Sequence, residues 1–176
     1  PLLARHVADR AGAEAITVLS PDIGGVKRAT QFAGALERAT ATAIATGFVE
    51  KYRSGGVVSG DLMAGEVAGR TVVIVDDMIA TGSTILRAAK ACRERGAAAV
   101  LAVATHGLFV PPADTVLSDA AIDSVLVANT IPPFRLAGTS AEAKLTVVDL
   151  APLLAEAIGR LHGGGSLVEL AEGEAV

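Results

Sequence analysis

The residues with the clearest chemical potential lie in one stretch. Asp76-Asp77-Met78-Ile79-Ala80-Thr81-Gly82-Ser83-Thr84 follows directly on the apolar run Thr71-Val72-Val73-Ile74-Val75. Two carboxylates precede a small, hydroxyl-rich turn, and the turn leads into a helical pattern. The first N–H groups of a helix lack intrahelical partners and the helix dipole adds positive potential there. Thr81, Gly82, Ser83 and Thr84 can therefore cradle a dianionic phosphate with amides and hydroxyls alone. Asp76 and Asp77, at the strand end, can accept hydrogen bonds from a diol next to that phosphate, or help orient a divalent cation. An anion site beside two carboxylates suits a sugar phosphate. The plainer alternative makes Ser83 a helix N-cap and the aspartates a solvated turn, but the full pattern behind a buried strand is more specific than capping requires.

Two other segments carry groups that could serve the same ligand. Ser20-Pro21-Asp22-Ile23-Gly24-Gly25-Val26-Lys27-Arg28-Ala29 follows an apolar run. Its glycines permit a tight turn into a helix, and Asp22 projects from the strand end, where a carboxylate can serve a cation or a ribose hydroxyl. The alternative is an ordinary Asp-Gly turn with Lys27 and Arg28 on a solvated helix face. Glu50-Lys51-Tyr52-Arg53 then runs into Gly55, Gly56 and Gly60. Lys51 and Arg53 on a mobile glycine loop could close over a polyphosphate and neutralise charge developing during transfer; solvated surface cations are the alternative.

These groups need a scaffold that brings strand ends together. Short β-branched runs at 15–19, 42–46, 71–75, 98–104, 124–127 and 145–148 read as strands, most of them continuously apolar, as strands covered on both faces must be. Helical periodicity fills 26–38, 83–95 and 152–161, with Gly96 as a stop and Pro152 as a start. The rhythm predicts an α/β fold with a doubly wound, mostly parallel sheet flanked by helices. In such sheets ligands bind beyond the carboxyl ends of the strands. The segment 54–60 reads as a mobile loop and 163–166 as a flexible stretch opening a tail, giving one domain over 1–162 and a tail over 163–176.

Composition narrows the classes. With 176 residues, 51% of them apolar, the chain fits one domain with a sizeable core. Fifteen Lys and Arg against 19 Asp and Glu give a net charge of −4, which lacks the basic surface nucleic-acid binding needs. Aromatics at 3% with no Trp argue against stacking platforms, so a ligand must be held by polar groups and backbone. The longest uncharged run, 97–113, contains His106, Gly107, Pro111 and Pro112 and is broken too early to span a bilayer as a helix. A soluble protein with no membrane partner is the expectation. No basic, apolar leader is visible and the chain begins at Pro1 without Met. The single Cys92, read as a core or helix cysteine, fits a reducing, cytoplasmic setting.

The segment 76–84 resembles the phosphoribosyl diphosphate (PRPP) signature shared by type I phosphoribosyltransferases and ribose-phosphate diphosphokinases, and Ser-Pro-Asp-x-Gly-Gly-x-x-Arg-Ala resembles the corresponding segment of the diphosphokinases, the PRPP synthetases. Ala104 to Phe109, Asn129 to Pro132 and Val148 to Ile158 echo the same family in the same order, so the resemblance runs to about Leu170. It implies the C-terminal half of a PRPP synthetase with a type I phosphoribosyltransferase-like fold, and transfer of diphosphate from ATP to ribose 5-phosphate to give PRPP and AMP. By the same resemblance, Asp76 and Asp77 hold the ribose 2- and 3-hydroxyls, and Thr81, Gly82, Ser83 and Thr84 the 5-phosphate. Lys51 and Arg53 are catalytic, Asp22 lies at a Mg²⁺ site, and the chain forms a homo-oligomer. His106 reads as structural and stays outside the catalytic set. Two departures stand out. Ala80 replaces an acid common in the synthetases, and Val110-Pro111-Pro112 replaces Ser-Gly-Pro in a loop associated with regulatory phosphate or ADP, which weakens the expectation of allosteric control. A stand-alone phosphoribosyltransferase and a noncatalytic synthetase-associated regulatory subunit are the alternatives.

Overall fold

The computed structural model describes residues 1–11, 15–54 and 57–172, with only the backbone of 11, 51–54, 57–61 and 172. The helices are α1 (Leu2–Ala11), α2 (Val26–Thr40), α3 (Ser83–Glu94), α4 (Ala113–Leu117), α5 (Ala151–Gly163) and α6 (Leu167–Glu172). The strands are β1 (Ile16–Ser20), β2 (Ala45–Ser54), β3 (Val57–Ala64), β4 (Thr71–Ile79), β5 (Ala99–Gly107), β6 (Ser124–Ala128) and β7 (Leu145–Val148).

The strands form a seven-stranded sheet in the order β3-β2-β1-β4-β5-β6-β7. Every pair is parallel except β2 with β3. The predicted doubly wound, mostly parallel α/β architecture is therefore present. Alternate residues of the central strands enter two cores, one on each face, which explains their continuous apolarity. On one face Val72, Ile74, Val100 and Ala102 pack with Ile85, Ala88, Ala89 and Cys92 of α3. On the other, Val18, Val73, Val75 and Val103 pack with Ala4 and Val7 of α1 and Ala29, Ala33 and Leu36 of α2. The spacing of Ala29, Ala33 and Leu36 turns one helical stripe to the sheet, and small residues let α2 approach closely.

The strand order reverses direction between β1 and β4, and a crevice opens there beyond the carboxyl ends. Pairing between β1 and β4 stops at Leu19 and Ile74, whereas β4 continues beside β5 as far as Ile79 and Gly107. The last residues of β4 thus have β5 on one side and open space where β1 has ended. Asp76 and Asp77 occupy that overhang.

Several expectations change. The second strand begins at Ala45 rather than Thr42, because α2 runs to Thr40 and ends on Ala41 with a left-handed backbone, φ 54°. The segment 54–60 is not a loop throughout. β2 continues to Ser54 and β3 begins at Val57, forming an antiparallel ribbon that projects past the end of β1. Gly55 and Gly56 lie outside the described residues. A short helix, α6, occupies part of the expected tail. On α5, Leu154, Ile158 and Leu161 are exposed and no residue of the helix is buried. Among the described residues, no helix is long and apolar enough to cross a membrane.

Candidate functional site

The turn after β4 is shaped by Gly82, the residue preceding α3, whose φ of 78° lies in the left-handed region. A Cβ there would also come within 3.0 Å of Leu117 and 3.2 Å of Val116, so both backbone and packing call for glycine. Gly82, not Ser83, occupies the N-cap position and makes no side-chain cap, while the Ser83 amide donates to Thr81 Oγ1 at 3.4 Å. This corrects the capping alternative for Ser83, which is the first residue of α3. Its hydroxyl and that of Thr81 lie 3.0 Å apart, both on the solvent side of the turn. The first intrahelical bond runs from the Leu86 amide to the Gly82 carbonyl at 2.9 Å, so the amides ahead of it face the turn without an i−4 carbonyl. Thr81, Gly82, Ser83, Thr84 and Asp76 together line a pocket of about 90 Å³, room for roughly three water molecules. The structure brings five of the six residues predicted to hold the sugar phosphate to one hollow, and Asp77 does not line it.

Asp76 also lines a larger groove of about 580 Å³, shared with Arg28, Phe32, Arg38 and Val75 on the α2 side of the sheet. Asp76 is half-buried and Asp77 exposed. Burial raises the Asp76 pKa above its ordinary value; the Asp77 amide and the Arg28 guanidinium oppose the shift without cancelling it.

Arg28, from the first turn of α2, spans both carboxylates. Its Nη1 donates to Asp76 Oδ1 at 2.7 Å and its Nη2 to Asp77 Oδ2 at 2.8 Å. The expectation of a solvated helix face for Arg28 is therefore corrected: the side chain closes the crevice between the β1 and β4 loops. The motif containing Arg28 was legible in sequence, but the partner lies 48 residues away. Gly25 makes the reach possible, since a Cβ there would collide with Ser20 Oγ and come within 3.2 Å of Arg28 Nη1.

Asp22 follows β1 with an extended backbone, and its Oδ1 accepts from the Gly25 amide at 2.9 Å, capping a 3₁₀ turn over Ile23–Gly25. The carboxylate is exposed. Among the described residues no three His, Cys, Asp or Glu converge as a metal cluster. By their backbone Lys51 and Arg53 lie beyond the end of β1, in strand β2 rather than on a loop. Lys51 pairs with Asp61 and Arg53 with Val58, across a register shift between Tyr52 and Arg53. Their side chains lie outside the described residues. His106 bonds through Nδ1 to Thr130 Oγ1 at 2.9 Å, and Thr130 Oγ1 donates to the Thr105 carbonyl at 3.2 Å, a tie between the ends of β5 and β6 consistent with its structural reading.

The fold is thus an open α/β domain whose switch-point crevice joins an acid pair to a hydroxyl-rich helix start. The family model described as phosphoribosyl synthetase-associated domain matches residues 59–171, and the chain belongs to that family. It is 38% identical to a ribose-phosphate pyrophosphokinase of Corynebacterium efficiens, over 99% of this chain and 52% of the relative. It is 43% identical to one of Nostoc sp., over 86% of this chain and 44% of the relative. The phosphoribosylpyrophosphate synthetase of Mycobacterium smegmatis superposes with a TM-score of 0.78 at 34% identity, over 93% of this chain and 50% of that one. The family resemblance and the fold expected from sequence are thus borne out. The chain spans about half the length of the curated relatives it matches.

Proposed function

We propose that this chain provides the ribose 5-phosphate half of a ribose-phosphate diphosphokinase. The observation that carries the reading is the single hollow that joins Asp76 to the Thr81–Thr84 turn. The turn holds the 5-phosphate through helix-start amides and the Thr81, Ser83 and Thr84 hydroxyls. Asp76 and Asp77 accept from the ribose 2- and 3-hydroxyls, fixing the sugar so that its 1-hydroxyl faces the incoming nucleotide. In the transfer, the 1-hydroxyl oxygen forms a bond to the β-phosphorus of ATP, the bond from that phosphorus to the α,β-bridging oxygen breaks, AMP leaves with that oxygen, and the hydroxyl proton passes to solvent.

Lys51 and Arg53, on a ribbon at the same end of the sheet, stabilise charge on the transferred group. Asp22, an exposed carboxylate, would hold Mg²⁺ together with phosphate oxygens of the substrate, the donor type this ion takes. When bound, it supplies charge neutralisation to the phosphates. A homo-oligomer and a reducing, cytoplasmic setting complete the reading; the buried Cys92 supports the latter.

The description of the matching family model, phosphoribosyl synthetase-associated domain, supports a second reading, a noncatalytic synthetase-associated subunit that binds ribose 5-phosphate without turning it over. Incubation with ATP, Mg²⁺ and ribose 5-phosphate separates the two. AMP and PRPP exclude the second reading; calorimetric binding of the sugar phosphate without AMP limits this chain to sugar-phosphate binding. Absence of sugar-phosphate binding contradicts both.

A further inference from the structure

The geometry points to Arg28 as a positioning residue that presets the acid pair for a vicinal diol, an inference that rests on the ribose-binding reading above. A bare pair of adjacent carboxylates would repel and rotate freely at the crevice mouth. Here the guanidinium fork engages one oxygen of each, Asp76 Oδ1 and Asp77 Oδ2. Asp76 Oδ1 also accepts from the Asp77 amide at 2.9 Å, so that oxygen already receives two donors. The clamp assigns the remaining oxygens, Asp76 Oδ2 and Asp77 Oδ1, to a ligand. Two acceptors on adjacent residues match the two donors of a cis-diol, whereas a single hydroxyl uses only one of them.

Arg28 leaves α2 immediately after the turn capped by Asp22, and Gly25 opens the path of its side chain. Bidentate geometry is the property that lysine cannot reproduce, since its ammonium is a point charge on a flexible stem. The clamp therefore predicts a separation between charge and shape. It also differs from simple competition, in which Arg28 would occupy the carboxylates at the ligand's expense.

Calorimetry on the full chain with ribose 5-phosphate, 2-deoxyribose 5-phosphate and inorganic phosphate tests this, using the wild type, Arg28→Ala and Arg28→Lys. The wild type is expected to prefer the ribose ester over the deoxy ester. Both variants should lose about tenfold in affinity for ribose 5-phosphate, the size expected for a lost charge-assisted hydrogen bond, together with most of the preference. Their affinity for inorganic phosphate should be nearly unchanged. Full restoration of the preference by lysine would overturn the clamp in favour of charge alone, and tighter sugar binding by Arg28→Ala would overturn it in favour of competition. Unchanged preference in both variants would also reject it while leaving the diol reading intact. A wild type that binds phosphate but does not distinguish the sugars rejects the diol reading itself, and the clamp with it. Thermal melts verify folding; should the alanine variant fail to fold, the lysine variant alone decides.

Discussion

Arg87, in α3, donates from Nη2 to the carbonyl oxygen of Pro21 at 2.7 Å. This bond fastens α3, which begins at the 81–84 turn, to the loop after β1 that carries Asp22. Replacing Arg87 with Met keeps the aliphatic stem but removes the donor, and should lower stability by about 1–2 kcal/mol. Because the two walls of the crevice would then be less firmly joined, ribose 5-phosphate affinity should fall as well. Urea unfolding and calorimetry on the same preparation give both values.

Gly82 and Gly159 should respond to alanine in opposite directions. At Gly82 the φ of 78° and the contact with Leu117 make a methyl group unfavourable, with an expected loss of about 1–2 kcal/mol and weaker phosphate binding. Gly159 lies inside α5, with nothing within 4 Å of an added Cβ. Alanine there should stabilise by about 0.5–1 kcal/mol through helix propensity. Paired denaturation curves check the contrast, and equal effects at the two sites would contradict the assigned turn geometry.

Asp76 links binding to pH. Burial, the largest influence, raises its pKa, so the folded chain holds this proton more readily than the unfolded chain does. Its ionisation therefore costs stability as pH rises from the unfolded value of 3.8 to the raised folded value, and the cost persists at neutral pH. Asp76→Asn should be at least as stable as the wild type near neutrality, with the difference shrinking in acid below the unfolded value, while ribose 5-phosphate binding is lost. In the wild type, affinity should fall on acidification through the raised folded pKa. A wild type clearly more stable than Asp76→Asn at neutral pH would contradict this assignment.

Cys92 should be inert. Its side chain is fully buried beneath α3 and burial pushes its thiol up to about 12, so thiolate is scarce at ordinary pH. A colorimetric thiol reagent should detect no reaction in the native chain at mildly alkaline pH and one equivalent per chain in denaturant. Rapid native labelling would contradict the packing of α3 on the sheet.

The arrangement of strand, acid pair and turn was legible because it is local. The run 71–75, the acids and the hydroxyl turn are contiguous, and an apolar strand feeding a helix confines them to one end of the sheet. β7 was legible over its full span for a similar reason, as an isolated β-branched run. The β2–β3 ribbon was not, since its glycines signal a loop and only pairing across the hairpin makes Val57–Ala64 a strand. Ser83 looked like a cap because serine favours that position; the left-handed backbone at Gly82 moved the cap by one residue. Arg28 could be placed at the start of a helix, but its contact with Asp76 and Asp77 depends on the adjacency of β1 and β4, a tertiary fact absent from local pattern.

The most direct measurement of the ribose-phosphate reading is amide chemical-shift mapping during titration with ribose 5-phosphate. The account predicts the largest saturable shifts at the amides of Thr81 to Ile85 and of Asp76 and Asp77, with inorganic phosphate reproducing only the first group. Saturable shifts confined to another part of the fold, with these amides unmoved, would contradict it.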